Sequence, residues 1–154
     1  MRRKKYEVTD FNTMIQIIDS STTVRLGFNT DNIPYIVPLS FGYEVVDGTI
    51  ILYVHSASEG HKVDLISKNS QIKVEFDNFI KYYSVGHNFT CSYNSLMAEG
   101  KIEAILDDDE KLKALNLLLN HCDFSKKIDS NAKCMKITNV YKITLSNLSC
   151  KVHD

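Results

Sequence analysis

Tyr35-Ile36-Val37-Pro38-Leu39-Ser40-Phe41-Gly42-Tyr43-Glu44-Val45, followed by Val46, Asp47-Gly48 and Thr49-Ile50-Ile51-Leu52-Tyr53-Val54-His55-Ser56, decides the fold class. Both runs are rich in β-branched and aromatic residues, and the Asp-Gly pair between them supplies the positive-φ positions of a tight hairpin turn. In the first run Tyr35, Val37, Leu39, Phe41 and Tyr43 share one strand face, and Ile36, Pro38, Ser40 and Gly42 share the other. Proline cannot donate to a ladder and glycine has nothing to pack, so Pro38 and Gly42 predict a sheet edge, a bulge or the close approach of a ligand.

Working outward, Thr23 to Phe28 reads as a preceding strand, separated by the polar turn Asn29 to Asn32. After Ser56 comes Ala57-Ser58-Glu59-Gly60, then a short helix from His61 to Lys68 and an alternating strand, Gln71 to Phe76. Lys81 to Asn94 has no regular pattern but is rich in Tyr and Phe; Leu96 to Leu106 resumes a strand with Gly100 inside it. Asp107-Asp108-Asp109-Glu110 opens an amphipathic helix to about Cys122, its acidic first turn matching the helix dipole and Leu112, Leu115, Leu118 and Leu119 forming its stripe. Cys134 to Leu145 reads as a last strand, and Thr9 to Ile18 as an N-terminal helix with Met14, Ile17 and Ile18 inward. Short hairpin-linked strands with inserted helices predict an α+β, mostly β, fold, a closed or partly closed antiparallel barrel with a few flanking helices. With 154 residues and 44% hydrophobic content, the length prior favours a single domain over residues 1–154.

Composition removes several classes of function. The basic start, Met1 to Lys5, is followed by no apolar core or cleavage site, so no signal peptide is expected. Apolar runs such as Thr49 to Val54 are far below the ~20 residues of a membrane helix. Cys91, Cys122, Cys134 and Cys150 are scattered, which predicts reduced thiols in the cytoplasm. A formal net charge of -1 argues against nucleic acid as a partner.

Chemistry concentrates in Ile51 to Leu65, where a strand ends in small and polar residues just before a helix. Free backbone N–H groups at a helix start, the Ser56 hydroxyl and the Lys62 ammonium suit a phosphate, and Gly60 lets the backbone come close. The same order of elements is also an ordinary connection. His55, sharing a face with Ile51 and Tyr53, is on spacing alone a half-buried histidine as readily as a ligand-side one.

Pro34 to Tyr43, together with Tyr53-Val54-His55-Ser56-Ala57-x-x-Gly60-x-Lys62, resembles the pyridoxamine 5'-phosphate oxidase-like superfamily, and within it the 5-nitroimidazole-resistance (Nim) branch. Arg25-Leu26-Gly27-Phe28 and Tyr93-x-Ser95-Leu96 with Gly100-Lys101 match in the same order, over about residues 5 to 145. The resemblance implies a homodimeric split barrel with FMN between subunits and a small organic, possibly nitroaromatic, electron acceptor. It implies that Val37, Pro38, Leu39 and Ser40 line the isoalloxazine with main-chain groups. Ser56, Ala57, Gly60, His61 and Lys62 would surround the phosphate, and His55 would sit beside the flavin in the catalytic position. Tyr93 and Ser95 would be flavin or substrate contacts. Thr22, Thr23 and Val24 stand where the Nim branch often has Cys-x-x-Gly, and His61 replaces the usual basic neighbour of Lys62.

Three alternatives stay open: a flavin or haem carrier without catalysis, a binding module without a redox cofactor, and oxidation of pyridoxamine phosphate itself, for which the extra substrate-phosphate Arg and Lys positions are not found. No metal is expected, because His121-Cys122 lacks a second ligand pair and Asp107 to Glu110 is explained by the helix dipole.

Overall fold

The computed structural model describes residues 4–153, so most of the basic run that opens the chain lies outside the described residues. A 3₁₀ turn, Lys4–Tyr6, leads into β1 (Glu7–Val8), α1 (Phe11–Ser20), β2 (Val24–Phe28), β3 (Tyr35–Leu39), β4 (Gly42–Val46), β5 (Thr49–Ala57) and α2 (His61–Lys68). Then come β6 (Gln71–Val85), β7 (Asn88–Ala104), α3 (Asp108–His121), α4 (Lys133–Ile137) and β8 (Thr138–His153). The pairing is antiparallel throughout, in the order β3-β2-β6-β7-β8-β5-β4, with β1 added to β8.

That order forces closure. β3 and β4 lie at opposite ends of the sheet, yet only Ser40 and Phe41 separate them. Consecutive Cα atoms are ~3.8 Å apart, so the sheet must curl until its two ends nearly meet. The result is a split antiparallel barrel. Phe41 pins the corner from inside: it is fully buried and packs edge-on against Phe76 at a centroid distance of 5.2 Å.

The corner corrects the expectation of one continuous strand from Tyr35 to Val45. The face assignment holds, since Phe41 is buried and Tyr35, Val37, Leu39 and Tyr43 pack against the same core. The strand itself is cut at Ser40 because the chain changes from one end of the sheet to the other. Pro38 is tolerated because β3 is an end strand, with β2 as its only ladder partner among the described residues and Arg25 opposite it. Gly42 answers a different need: a Cβ there would overlap the backbone of Leu117 and Leu118, so its missing side chain lets α3 lie directly on β4.

Two apolar clusters result. The barrel interior holds Val24, Leu26, Val74, Phe76, Leu96 and Ile143, closed at one end by Met14, Ile17 and Ile18 of α1. The outer cluster, Tyr53, Ile105, Ala114, Leu115, Met135 and Val140, seats α3 and α4 on the outside of β5 and β8. The acidic run does what the dipole reading expects, with Asp107 capping α3 by accepting from the Glu110 N–H at 2.8 Å.

Two expectations fail. Lys81 to Asn94 is not irregular but the outer part of the long β6–β7 hairpin, turning at Gly86 with φ +61°. The last strand does not begin at Cys134: Lys133–Ile137 is a helical turn that inserts Met135 under α3, and β8 then runs on to His153.

Candidate functional site

β5 alternates strictly. Ile50, Leu52, Val54 and Ser56 point into the barrel, and Ile51, Tyr53, His55 and Ala57 point out. α3 and α4 cover Tyr53 but end short of His55 and Ala57, which are exposed. Ser56 is buried, and its hydroxyl donates to the Ala57 carbonyl at 2.8 Å. Gly60 then turns the chain into α2 with φ +132°, a value open to glycine and costly for other residues, and no atom lies within 4 Å of where its Cβ would be. The Gly60 carbonyl accepts from Val63 and Asp64 N–H at 2.9 and 3.2 Å. The N–H groups of His61 and Lys62, one residue into the helix, have no intrahelical acceptor.

Lys62 is the basic group of this seat, with Glu59 before it and Asp64 in the same first turn. Burial holds the Lys62 ammonium below its ordinary pKa. Partial desolvation lowers His55 too, although the residue faces outward, and repulsion from Lys62 adds to the effect, so the imidazole favours its neutral form. An anion between the two would relieve both.

The His61 ring meets Tyr35 edge-on at 4.9 Å between centroids. The start of β3 is therefore tied to the start of α2, and Val37, Pro38, Leu39 and Ser40 lead away from the seat along an end strand whose second edge pairs with no strand among the described residues. Such an edge offers main-chain groups to a planar ligand. The structure keeps His55 to Lys62 contiguous at the β5–α2 junction, with His55 and Ala57 outward and Ser56 turned into the barrel, and the Tyr35–His61 contact links this junction to the start of the strand that carries Val37 to Ser40.

Tyr93 and Ser95 are elsewhere. His55 pairs with Val140 near one end of β8, whereas Ser95 pairs with Lys151 near the other. They lie on the outer face of β7 in a shallow basin of 630 Å³ with Arg25, Glu75, Asp77, Met97 and Lys151. Arg25, ladder partner of Pro38, pairs with Glu75 at 3.1 Å and with Asp77, while Lys151 donates to the Tyr93 hydroxyl and stands over its ring. No sequence pattern announces this basin, because its members are cross-strand neighbours tens of residues apart. His121 is structural: its Nε2 lies 2.9 Å from the Ser21 carbonyl and its ring packs on Phe41.

The pyridoxamine 5'-phosphate oxidase family model matches residues 10–152. The chain belongs to the pyridoxamine 5'-phosphate oxidase family. Solved structures show the same fold. A candidate 5-nitroimidazole antibiotic resistance protein from Bacteroides thetaiotaomicron is 26% identical, with a TM-score of 0.83 over 95% of this chain and 86% of that one. A flavocytochrome from Azotobacter vinelandii, 21% identical, aligns with TM-score 0.80 over 100% of this chain and 72% of that one. An FAD-binding protein from Mesorhizobium loti, 18% identical, aligns with TM-score 0.70 over 96% and 97%. No curated protein matches the sequence. Family membership and split barrel agree with the resemblance read from the sequence, including its nitroimidazole-resistance branch.

Proposed function

We propose that this chain is a flavoprotein that holds FMN along β3, with the phosphate at the start of α2, and passes electrons to a small organic acceptor. The observation that carries the reading is the His61–Tyr35 contact, which joins the lysine-bearing start of α2 to an end strand with one edge unpaired among the described residues. Family membership and the flavin named for two of the similar structures support the same cofactor class.

Each side chain then has a task. The N–H groups of His61 and Lys62 and the Lys62 ammonium bind phosphate oxygens, and the bare Gly60 leaves room for them. Ser56 adds its hydroxyl by turning from the Ala57 carbonyl. Main-chain groups of Val37, Leu39 and Ser40 orient the ring, and Pro38, which lacks an N–H, leaves its carbonyl as the only polar main-chain group there. When bound, the flavin supplies hydride or single-electron transfer. His55 stays neutral in the cofactor-free protein and offers a ring nitrogen to the flavin or to the acceptor. A nitroaromatic is the acceptor class we favour, given the likeness to the Bacteroides protein. Four free cysteines fit a reducing compartment, the cytoplasm.

Competition between FMN and riboflavin tests the phosphate seat. Charge-assisted hydrogen bonds contribute about 1.5–3 kcal/mol each, so FMN should bind at least about tenfold more tightly than riboflavin. Equal affinity would remove the seat from the reading. Haem uptake with a Soret band and no flavin uptake would replace the flavin with haem. His55→Ala should lower turnover with a screened nitroaromatic while FMN still binds; unchanged turnover would remove His55 from the catalytic role.

A further inference from the structure

Inside the barrel the paired faces of β5 and β8 are apolar up to the rim and then turn polar. Ile50, Leu52 and Val54 of β5 look inward, as do Leu145, Ile143 and Tyr141 of β8, and the next inward pair is Ser56↔Asn139. Ser56 and the Tyr141 ring are buried, and Asn139 is half-buried. Polar groups drawn out of water cost free energy unless they are hydrogen-bonded, so their partners show what such a rim can hold. Ser56 Oγ donates to the Ala57 carbonyl at 2.8 Å. The Asn139 carboxamide spends its two N–H groups on the Ser58 carbonyl at 3.5 Å and the Tyr141 hydroxyl at 3.4 Å. Tyr141 roots the amide in the core, and the amide reaches over the rim to the loop before α2.

That loop has little else to hold it. β5 ends at Ala57, and Ser58, Glu59 and Gly60 are all exposed. Among the described residues none of their three N–H groups finds an acceptor, and the contact with Asn139 is the one hydrogen bond that another strand makes to them. A peptide unit is planar and trans, so a carbonyl and the N–H of the next residue point in opposite directions. With the Ala57 and Ser58 carbonyls drawn to the barrel side, the N–H groups of Ser58 and Glu59 face away from it. They precede the free N–H groups of His61 and Lys62 in the first turn of α2. Successive backbone N–H groups left free in a turn form an anion-binding concavity.

We propose that Asn139 is a positioning residue of this seat: by holding the Ser58 carbonyl it fixes the Ser58–Gly60 loop, and so the N–H groups offered to a phosphate. This role rests on the phosphate seat proposed above and adds to it a residue 81 positions further along the chain. Asn139 acts through the loop and not on the ligand. Ser56 cannot replace it, because the Ser56 hydroxyl leaves the Ala57 carbonyl when it turns to the phosphate, and the tie from Asn139 is the one that stays. A loop fixed before its ligand arrives loses less freedom on binding, which raises affinity without a new contact.

Asn139→Leu keeps the size of the side chain and removes both donors. One net hydrogen bond is a factor of about five in affinity, so FMN should bind the variant about fivefold more weakly, while riboflavin, which has no phosphate, binds as it does to the parent. In cofactor-free protein the amide order parameters of residues 58–61, read by NMR relaxation, should fall from about 0.85 to below about 0.6, with those of residues 50–54 unchanged. The unchanged strand shows that the barrel has folded; Asn139→Ser, too short to reach Ser58, stands in if the leucine variant does not fold. Equal weakening of FMN and riboflavin, or a loop as ordered in the variant as in the parent, overturns the proposal. A parent protein that binds both flavins equally removes the phosphate seat itself, whereas a preference for FMN that survives Asn139→Leu intact removes only Asn139.

Discussion

β6 changes character along its own length. From Ile72 to Phe76 every second residue is buried in the barrel, Phe76 and Val74 completely; beyond Phe79 the same strand keeps its ladder with β7 but buries no large apolar side chain. The hydrogen-bonded ladder is common to both halves, so it is not what distinguishes them. Burial of a face fixes the inner half, and lack of it leaves the outer half held by its ladder alone.

Phenylalanine truncation should expose that contrast most strongly. Phe76→Ala empties the centre of the barrel and should cost about 4 kcal/mol by denaturant unfolding, whereas Phe89→Ala should change the unfolding free energy by less than about 0.5 kcal/mol. Comparable losses would mean that the ribbon belongs to the core. Gly42→Ala should follow at about 3 kcal/mol, because the overlap is with the α3 backbone and not with a movable side chain. A neutral outcome would show that α3 can slide. Asp107→Ala should cost about 1 kcal/mol through the lost cap of α3.

Native-state hydrogen exchange gives the same comparison without mutation. Amides of 72–76 should exchange only through global unfolding, and those of 82–90 through cheap local opening. Uniform protection would contradict the division.

The smallest effect concerns the seat at α2. In cofactor-free protein His55 should titrate by NMR below the ordinary histidine range, and Lys62→Met should move it only part of the way back, since burial is the larger cause. A histidine whose folded pKa is depressed takes up its proton more readily in the unfolded chain. Its contribution to stability is therefore present above the unfolded value near 6.5 and falls as pH drops through it. An unshifted His55 would mean that its ring is fully solvated and Lys62 is not beside it.

Legibility in the sequence followed this division between buried and unburied. β2, β5, α1, α2 and the inner half of β6 each bury one face, which writes a period of 2 or 3.6 into the residue types; the elements at Val24, Thr49 and His61 begin within a residue of where the pattern places them. The outer ribbon has no buried face and so no alternation, and Lys81 to Asn94 looked irregular for that reason. The corner at Ser40–Phe41 was invisible because Phe41 keeps the strand parity on both sides of the break. The α2 seat was legible because its residues are contiguous or nearly so. The Arg25–Asp77–Ser95–Lys151 basin was not, because only the ladder makes those residues neighbours.

The most direct test of the central claim is an absorption titration of the purified protein with FMN, repeated for Lys62→Ala. The account predicts one flavin per chain in the parent protein and at least about tenfold weaker binding in the variant, with the thermal midpoint of the cofactor-free protein unchanged. Equal binding by both proteins, or no flavin uptake by the parent, would contradict it.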